Sequence, residues 1–312
     1  IRNLETAMKA TKKYGGHAQG AVVYTTSPVH NIQHYVDMAK KLADLGADSI
    51  CIKDMAGLLK PYVAFELVGA IKQAVDLPLQ VHSHETTGLA SMTYLKAIEA
   101  GADVIDTSLS ALGSGSSQPA TESIVATLME TEYDPGIDFE LASEVNKHFK
   151  EVREKHKDKI VPPWVNAEIL RYQIPGGMLS NFFNQLKQLK LENKIDEVLA
   201  EVPRVREKLG YPPLVTPMSQ MVGTQAMMNV ASPKGPWSIV LVDTKNYLKG
   251  EYGKPPGEID EEFRRQIIGD EPVMTERPAD RLEPGWEKAK AQFPSLSDED
   301  VLSRVMFPEL FK

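Results

Sequence analysis

Gly46-Ala47-Asp48-Ser49-Ile50-Cys51-Ile52-Lys53-Asp54-Met55-Ala56-Gly57 is the stretch whose reading decides the fold. Ser49 to Ile52 form an apolar run too short for a packed helix and suited to a strand. Gly46-Ala47-Asp48 stands before it, and the same phrase returns as Gly101-Ala102-Asp103 before Val104. A glycine just past a helix suits the left-handed turn that ends it. Each phrase therefore marks a helix stop and a strand start, a repeat at the level of one structural unit.

Further apolar runs lie at 21–24, 77–81 and 103–106. Their spacing of roughly 25–30 residues is that of a strand plus a crossover helix. Nearly continuous apolar runs predict parallel strands covered on both faces. Between them, residues 31–45 place Val36, Met38, Ala39, Leu42 and Leu45 at helical spacing, and residues 62–75 and 88–100 do likewise. Such units close into an eight-fold barrel or open into a doubly wound sheet. The open sheet calls for a glycine-rich phosphate turn, and neither GxGxxG nor GxxxxGKS/T occurs. The expectation is α/β: the C-terminal part of a TIM (β/α)8 barrel over residues 1–134, followed by a mostly helical domain over 135–312. Helices are predicted over 4–13, 139–157, 178–192, 194–209, 217–230 and 297–305, with breaks at Pro162-Pro163, Pro175-Gly176-Gly177 and Pro212-Pro213. Because the chain opens with Ile1 inside a helical pattern, the first half of the barrel is expected upstream of it.

Composition narrows the function. The 312 residues are 42% hydrophobic and 25% charged, as in an ordinary globular protein. A net charge of −8 gives no bulk electrostatic reason to bind nucleic acid. No apolar run approaches the roughly 20 residues of a membrane helix, and no signal-like segment opens the chain. The one cysteine, Cys51, reads as a core residue. A cytoplasmic setting is expected.

Function in a barrel of this type sits at the C-terminal strand ends. Those ends carry Lys53-Asp54, His82-Ser83-His84-Glu85 and Asp106-Thr107-Ser108. On a strand, residues two apart share a face, so both imidazoles can reach one metal ion. A bare ammonium at Lys53 would be repelled by that metal. Three resolutions are open: an ion pair with Asp54 or Asp106, a neutral amine forming a Schiff base with a carbonyl substrate, or a carbamate that turns the cation into an oxygen ligand.

The run Ile52-Lys53-Asp54-Met55-Ala56-Gly57-Leu58-Leu59, with His82-Ser83-His84 beyond it, resembles the carboxyltransferase component of biotin-dependent enzymes. That group spans oxaloacetate decarboxylase alpha subunits, pyruvate carboxylases and transcarboxylase. Residues 24–30, 117–123, 173–178 (Gln173-Ile174-Pro175-Gly176-Gly177-Met178) and 214–220 (Leu214-Val215-Thr216-Pro217-Met218-Ser219-Gln220) extend the resemblance along the whole chain. The resemblance implies a barrel followed by a funnel-like helical domain. It implies that Lys53 is carboxylated and binds a divalent metal (Zn, Mn or Co) with His82 and His84. Thr216 matches the family's proton-shuttling threonine, and Ser219 a residue lining the biotin pocket. Gln220 stands where pyruvate carboxylases commonly have lysine, which points toward the decarboxylase or transcarboxylase branches. The family's aspartate metal ligand and its keto-acid arginine are expected before Ile1.

The expected activity is carboxyl transfer between oxaloacetate or pyruvate and biotin, most like the decarboxylase alpha subunit. Biotin would ride on a carrier domain or subunit outside this chain. Partners would be that carrier, the keto acid and further copies of the chain, with membrane contact only through other subunits. Ala7-Met8-Lys9-Ala10 superficially matches a biotin acceptor sequence but lies in a helical pattern, whereas a biotinyl lysine sits at a hairpin tip. The competing readings are a related metal-dependent barrel lyase or Claisen-type synthase, and a scaffold without catalysis. Those lyases usually carry Asp-Thr where this chain has Lys53-Asp54-Met55.

Overall fold

A computed structural model describes residues 3–160, 164–173, 186–187 and 192–311. Four strands, β1 (Gln19–Val23), β2 (Ser49–Asp54), β3 (Leu79–Ser83) and β4 (Val104–Ile105), form one sheet in sequence order. Every pairing is parallel. After α1 (Glu5–Lys13), the connecting helices are α2 (Ile32–Asp44), α3 (Pro61–Ala74) and α4 (Ala90–Glu99). Gly46 (φ 87°) and Gly101 (φ 99°) take the left-handed conformation expected after α2 and α4. α2 is capped by Asn31, whose side chain accepts from the His34 amide.

The register separates two faces. Gly20, Ile50 and Leu79 lie in one row, and Val22, Ile52 and Val81 in the next. The large residues of these rows are 0–2% exposed and pack beneath α2–α4, against Leu42, Leu67, Val68 and Tyr94. At Gly20 a Cβ would come within 3.0 Å of the Leu42 side chain, so glycine lets α2 lie close to β1. The opposite face carries Gln19 beside Ser49, Ala21 beside Cys51 and Gln80, and Val23 beside Lys53 and His82. β2 is buried on both faces, as expected of a covered parallel strand. The second face nevertheless mixes Ala21, Cys51 and Val23 with polar Gln19, Ser49, Gln80, Lys53 and His82, and its top row leads to the strand ends.

Past β4, α5 (Thr121–Leu128) returns to the same core, and α6 (Phe139–Lys155) packs on α5. Asn146 of α6 is 5% exposed, and its side chain accepts from the Ala111 amide and donates to Ser110. A second hydrophobic cluster forms around α8 (Ile195–Lys208) and α9 (Met218–Ala231), joined by Leu209, Leu214, Tyr247, Leu248, Ile259 and Phe263. α7 (Ile169–Tyr172), α10 (Val242–Leu248), α11 (Glu261–Ile268), α12 (Trp286–Gln292) and α13 (Asp298–Met306) complete the described helices. α5, α7, α10, α11 and α12 have no counterpart among the predicted helices. Each is eight residues or shorter and lies between proline- and glycine-rich breaks, too brief for a readable period. The predicted helix over 178–192 falls almost wholly outside the described residues.

Candidate functional site

β2 delivers Lys53 into the same row as His82 of β3. Asp54, fully buried, does not pair with Lys53. Its Oδ1 accepts from the Leu58 amide (2.9 Å), and its Oδ2 accepts from the Leu59 amide (2.8 Å) and the Ser83 hydroxyl (2.8 Å). Burial pushes its carboxyl upward, and these donors oppose that shift. Its work is to fold the turn 55–57 back over the sheet. Gly57 in that turn has φ 69°, and a Cβ there would sit 2.5 Å from the His84 carbonyl oxygen.

His82 and His84 converge, with their Nε2 atoms 3.2 Å apart. Both Nδ1 atoms are engaged elsewhere. His84 Nδ1 donates to the Ser116 carbonyl at 2.6 Å, which fixes its proton on that side. His82 Nδ1 donates to Asp106 Oδ2 at 2.6 Å. Asp106 Oδ1 accepts from Gln80 Nε2 at 2.8 Å, and Gln80 Oε1 accepts from Gln19 Nε2 at 3.0 Å. Burial, helped by the neighbouring His82 and Lys53, holds the His84 imidazole below its ordinary range, although the bond to Ser116 opposes this. With both Nδ1 atoms bonded outward, the two Nε2 atoms face each other across a gap that suits a shared cation. Two nitrogens each about 2.0–2.1 Å from a tetrahedral metal lie about 3.3 Å apart. Gln118 Nε2, 3.5 Å from both imidazoles, is the polar hydrogen donor on that side.

The donor set therefore fits a divalent metal as far as two ligands. Among the described residues no third His, Cys, Asp or Glu joins them. The ion-pair alternative for Lys53 fails on geometry. Asp54 faces backbone amides and Ser83, Asp106 faces His82 and Gln80, and no carboxylate among the described residues lies within 4.0 Å of the ammonium.

Thr216 lies elsewhere in the chain, exposed, just before α9. Ser219 is 7% exposed one turn later, and Gln220 faces outward. Residues 210–215 lead into this turn. Gly210 has φ 71°, its carbonyl accepts from the Gly257 amide, and Leu214 is buried in the second cluster. Of the 173–178 motif, Gln173 is described and closes α7 with φ 60°, while 174–178 lie outside the described residues.

Sequence reading missed Arg206, and it weighed Asp106 only as a partner for Lys53. Arg206 could have been noticed as a charge in the apolar stripe Leu199, Val202, Val205, Leu209. Asp106 had no such signal, because its pairing with His82 follows from the strand register, in which Val81 lies opposite Ile105.

The fold is a parallel α/β unit with a histidine pair at its strand ends, followed by a second hydrophobic cluster of helices. An HMGL-like family model matches residues 1–148, and a model described as a conserved carboxylase domain matches residues 169–312. Over nearly its whole length the chain is homologous to the carboxyltransferase component of biotin-dependent enzymes. It is 51% identical to a pyruvate carboxylase subunit of Methanocaldococcus jannaschii, over 99% of this chain and 56% of that protein. It is 43% identical to the methylmalonyl-CoA carboxyltransferase 5S subunit of Propionibacterium freudenreichii, over 99% of this chain and 63% of the relative. The carboxyl transferase domain of Rhizobium etli pyruvate carboxylase, solved with pyruvate, superposes with a TM-score of 0.90 at 30% identity, covering 99% of this chain and 56% of that one. The chain thus spans little more than half the length of these proteins. Among the described residues no helix is long and apolar enough to cross a membrane.

Proposed function

We propose that this chain carries the carboxyltransferase centre of a biotin-dependent enzyme acting on pyruvate or oxaloacetate, working with a biotin carrier domain or subunit and with further copies of itself. The observation that carries the reading is the pair of inward-facing Nε2 atoms, each ring held by an outward Nδ1 bond, at the strand end beside Lys53. His82, His84 and a carboxylated Lys53 would hold a divalent metal. That ion would supply stabilisation for the negative charge that develops on the keto acid. Residues 1–134 would form part of the barrel, and 135–312 a funnel-like helical domain.

In the carboxylation direction a C–C bond forms at the methyl carbon of pyruvate as the N–C bond of carboxybiotin breaks. The methyl proton must reach the ureido nitrogen that is left. The Thr216 hydroxyl both donates and accepts, so it takes one proton while giving another and never holds charge. Ser219, one turn on, would line the biotin pocket with Gln220 at its rim. The Gln220 position favours decarboxylation or transcarboxylation. The relative at 51% identity, a pyruvate carboxylase subunit, favours carboxylation of pyruvate, and we give that direction the greater weight.

The test uses the full-length holoenzyme with its carrier. Lys53→Ala should lose bound metal and biotin-dependent carboxyl transfer together, and intact mass should show one added CO2 on Lys53 of the parent. Thr216→Ala should keep the metal and lose most of its turnover, leaving a measurable residual rate. Full metal and full turnover in Lys53→Ala would overturn the reading. Rates measured from both pyruvate and oxaloacetate decide the direction.

A further inference from the structure

We propose that Arg206 is a positioning residue that sets the Thr216 turn against the strand end bearing Lys53; this rests on the role given to Thr216 above. Arg206 lies on the buried side of α8 and is 3% exposed. Its Nε donates to the Pro212 carbonyl at 2.9 Å, four residues before Thr216. Nη1 donates to the Thr26 carbonyl at 2.8 Å and to Gln173 Oε1, and Nη2 donates to Thr25 Oγ1 at 2.9 Å. One guanidinium thus ties three segments, the farthest of them 181 positions away from it in sequence.

The far end of this tie is rigid and close to the metal row. Tyr35 accepts from the Thr25 amide at 2.9 Å and donates to the Thr25 carbonyl at 2.5 Å. The next residue back, Tyr24, donates its amide to the Lys53 carbonyl at 2.8 Å. Pro212 and Lys53 are therefore linked through Arg206, Thr25 and Tyr24 by short hydrogen bonds and adjacent peptide units.

The tie has a cost that packing alone does not explain. Among the described residues Arg206 has no carboxylate partner, only neutral acceptors. Burial lowers its pKa to about 10, so it stays charged at neutral pH. Burying a cation without a counter-ion is strongly unfavourable, and a leucine would fill the same stripe of α8 without that cost. What leucine lacks is a planar fork of donors in fixed directions, and lysine lacks it too. The fork holds Thr216 at the reach a proton relay requires, where a misplacement of about 1 Å costs about a hundredfold in rate.

The experiment is a double-mutant cycle on the full-length holoenzyme. Its variants are Arg206→Lys, Thr216→Ala and the double variant. Bound metal, melting temperature, kcat and the KM for pyruvate are read for each. Arg206→Lys should lower kcat roughly ten- to a hundredfold, with metal content and KM within about twofold of the parent. On the Thr216→Ala background it should lower kcat by less than about twofold, because a misplaced hydroxyl no longer matters. Thr25→Val, which removes one acceptor and keeps the side-chain shape, should repeat the pattern more weakly and stands in if Arg206→Lys does not fold. Multiplying losses in the double variant, or a loss confined to KM or metal, would overturn the positioning role. A Thr216→Ala enzyme with parental kcat would refute the reading of Thr216 and this inference with it.

Discussion

Asp106→Asn isolates the support behind the histidine pair. In the parent, Asp106 accepts on both oxygens, from His82 Nδ1 at 2.6 Å and from Gln80 Nε2 at 2.8 Å. An asparagine has one acceptor and one donor in the same place. If its amide nitrogen faces Gln80, two donors meet. Gln80 cannot simply flip, because its Oε1 already accepts from Gln19. If the nitrogen faces His82, the imidazole must carry its proton on Nε2. That proton then points into the gap where His84 Nε2 lies at 3.2 Å. Either way the pair is no longer preset for a cation. Loss of such a supporting carboxylate typically lowers metal affinity ten- to a hundredfold, or about 1.4–2.7 kcal/mol. The assay is competition with a chelator of known affinity, read as metal bound to the full-length protein, with His84→Ala as the control that should lose nearly all of it. An Asp106→Asn affinity within about twofold of the parent, with His84→Ala losing metal as expected, would refute the argument that Asp106 fixes the His82 tautomer.

Two further outcomes follow from the geometry. Gly57→Ala places a Cβ 2.5 Å from the His84 carbonyl at a left-handed backbone position. It should cost about 1–3 kcal/mol in chemical denaturation and weaken metal binding, and an unchanged midpoint would contradict the close approach. His30 is 8% exposed, accepts at Nδ1 from the Ser27 hydroxyl, and is held neutral, its pKa lowered from 6.5 to about 4 by burial, then by His34 and Arg206. Because the unfolded chain takes up the proton first, stability is full above pH 6.5 and falls as pH drops toward 4. The loss between pH 7.5 and 5 is about 2 kcal/mol. His30→Gln should flatten that part of the pH profile in urea titrations, and an unchanged slope would contradict it.

What the sequence revealed follows from the range of each signal. Strand–helix repeats and the two Gly-Ala-Asp phrases are local, so β1–β4 and their connecting helices were readable to within a few residues. The pairing of His82 with His84 was readable because both lie on one strand. Register between strands was not. Hence the gathering of Gln19, Ser49, Gln80 and Lys53 on the opposite face went unseen, since each strand alone looks apolar. Asp106 and Ser116 reach the imidazoles from the β4–α5 region, and no spacing rule links them to positions 82 and 84. Arg206 acts over 181 positions, beyond any periodic signal. Only its awkward place in an apolar stripe hinted at work other than packing.

Of the fates open to Lys53, geometry removes one and charge separates the others. An ion pair needs Asp54 or Asp106, and both are engaged elsewhere. A neutral amine poised for a Schiff base would leave the two Nε2 atoms facing each other with little but the Gln118 amide between them. It would also give the outward bonds to Asp106 and Ser116 no purpose at the inward side. The proposed carbamate would answer both points. It would place negative oxygen beside the gap, where a divalent ion would compensate the oxygen and both nitrogens at once. It would also account for a lysine in the same row as His82 rather than a carboxylate. A lysine stem reaches farther from the strand than an aspartate, so its carbamate would meet such an ion from the neighbouring strand.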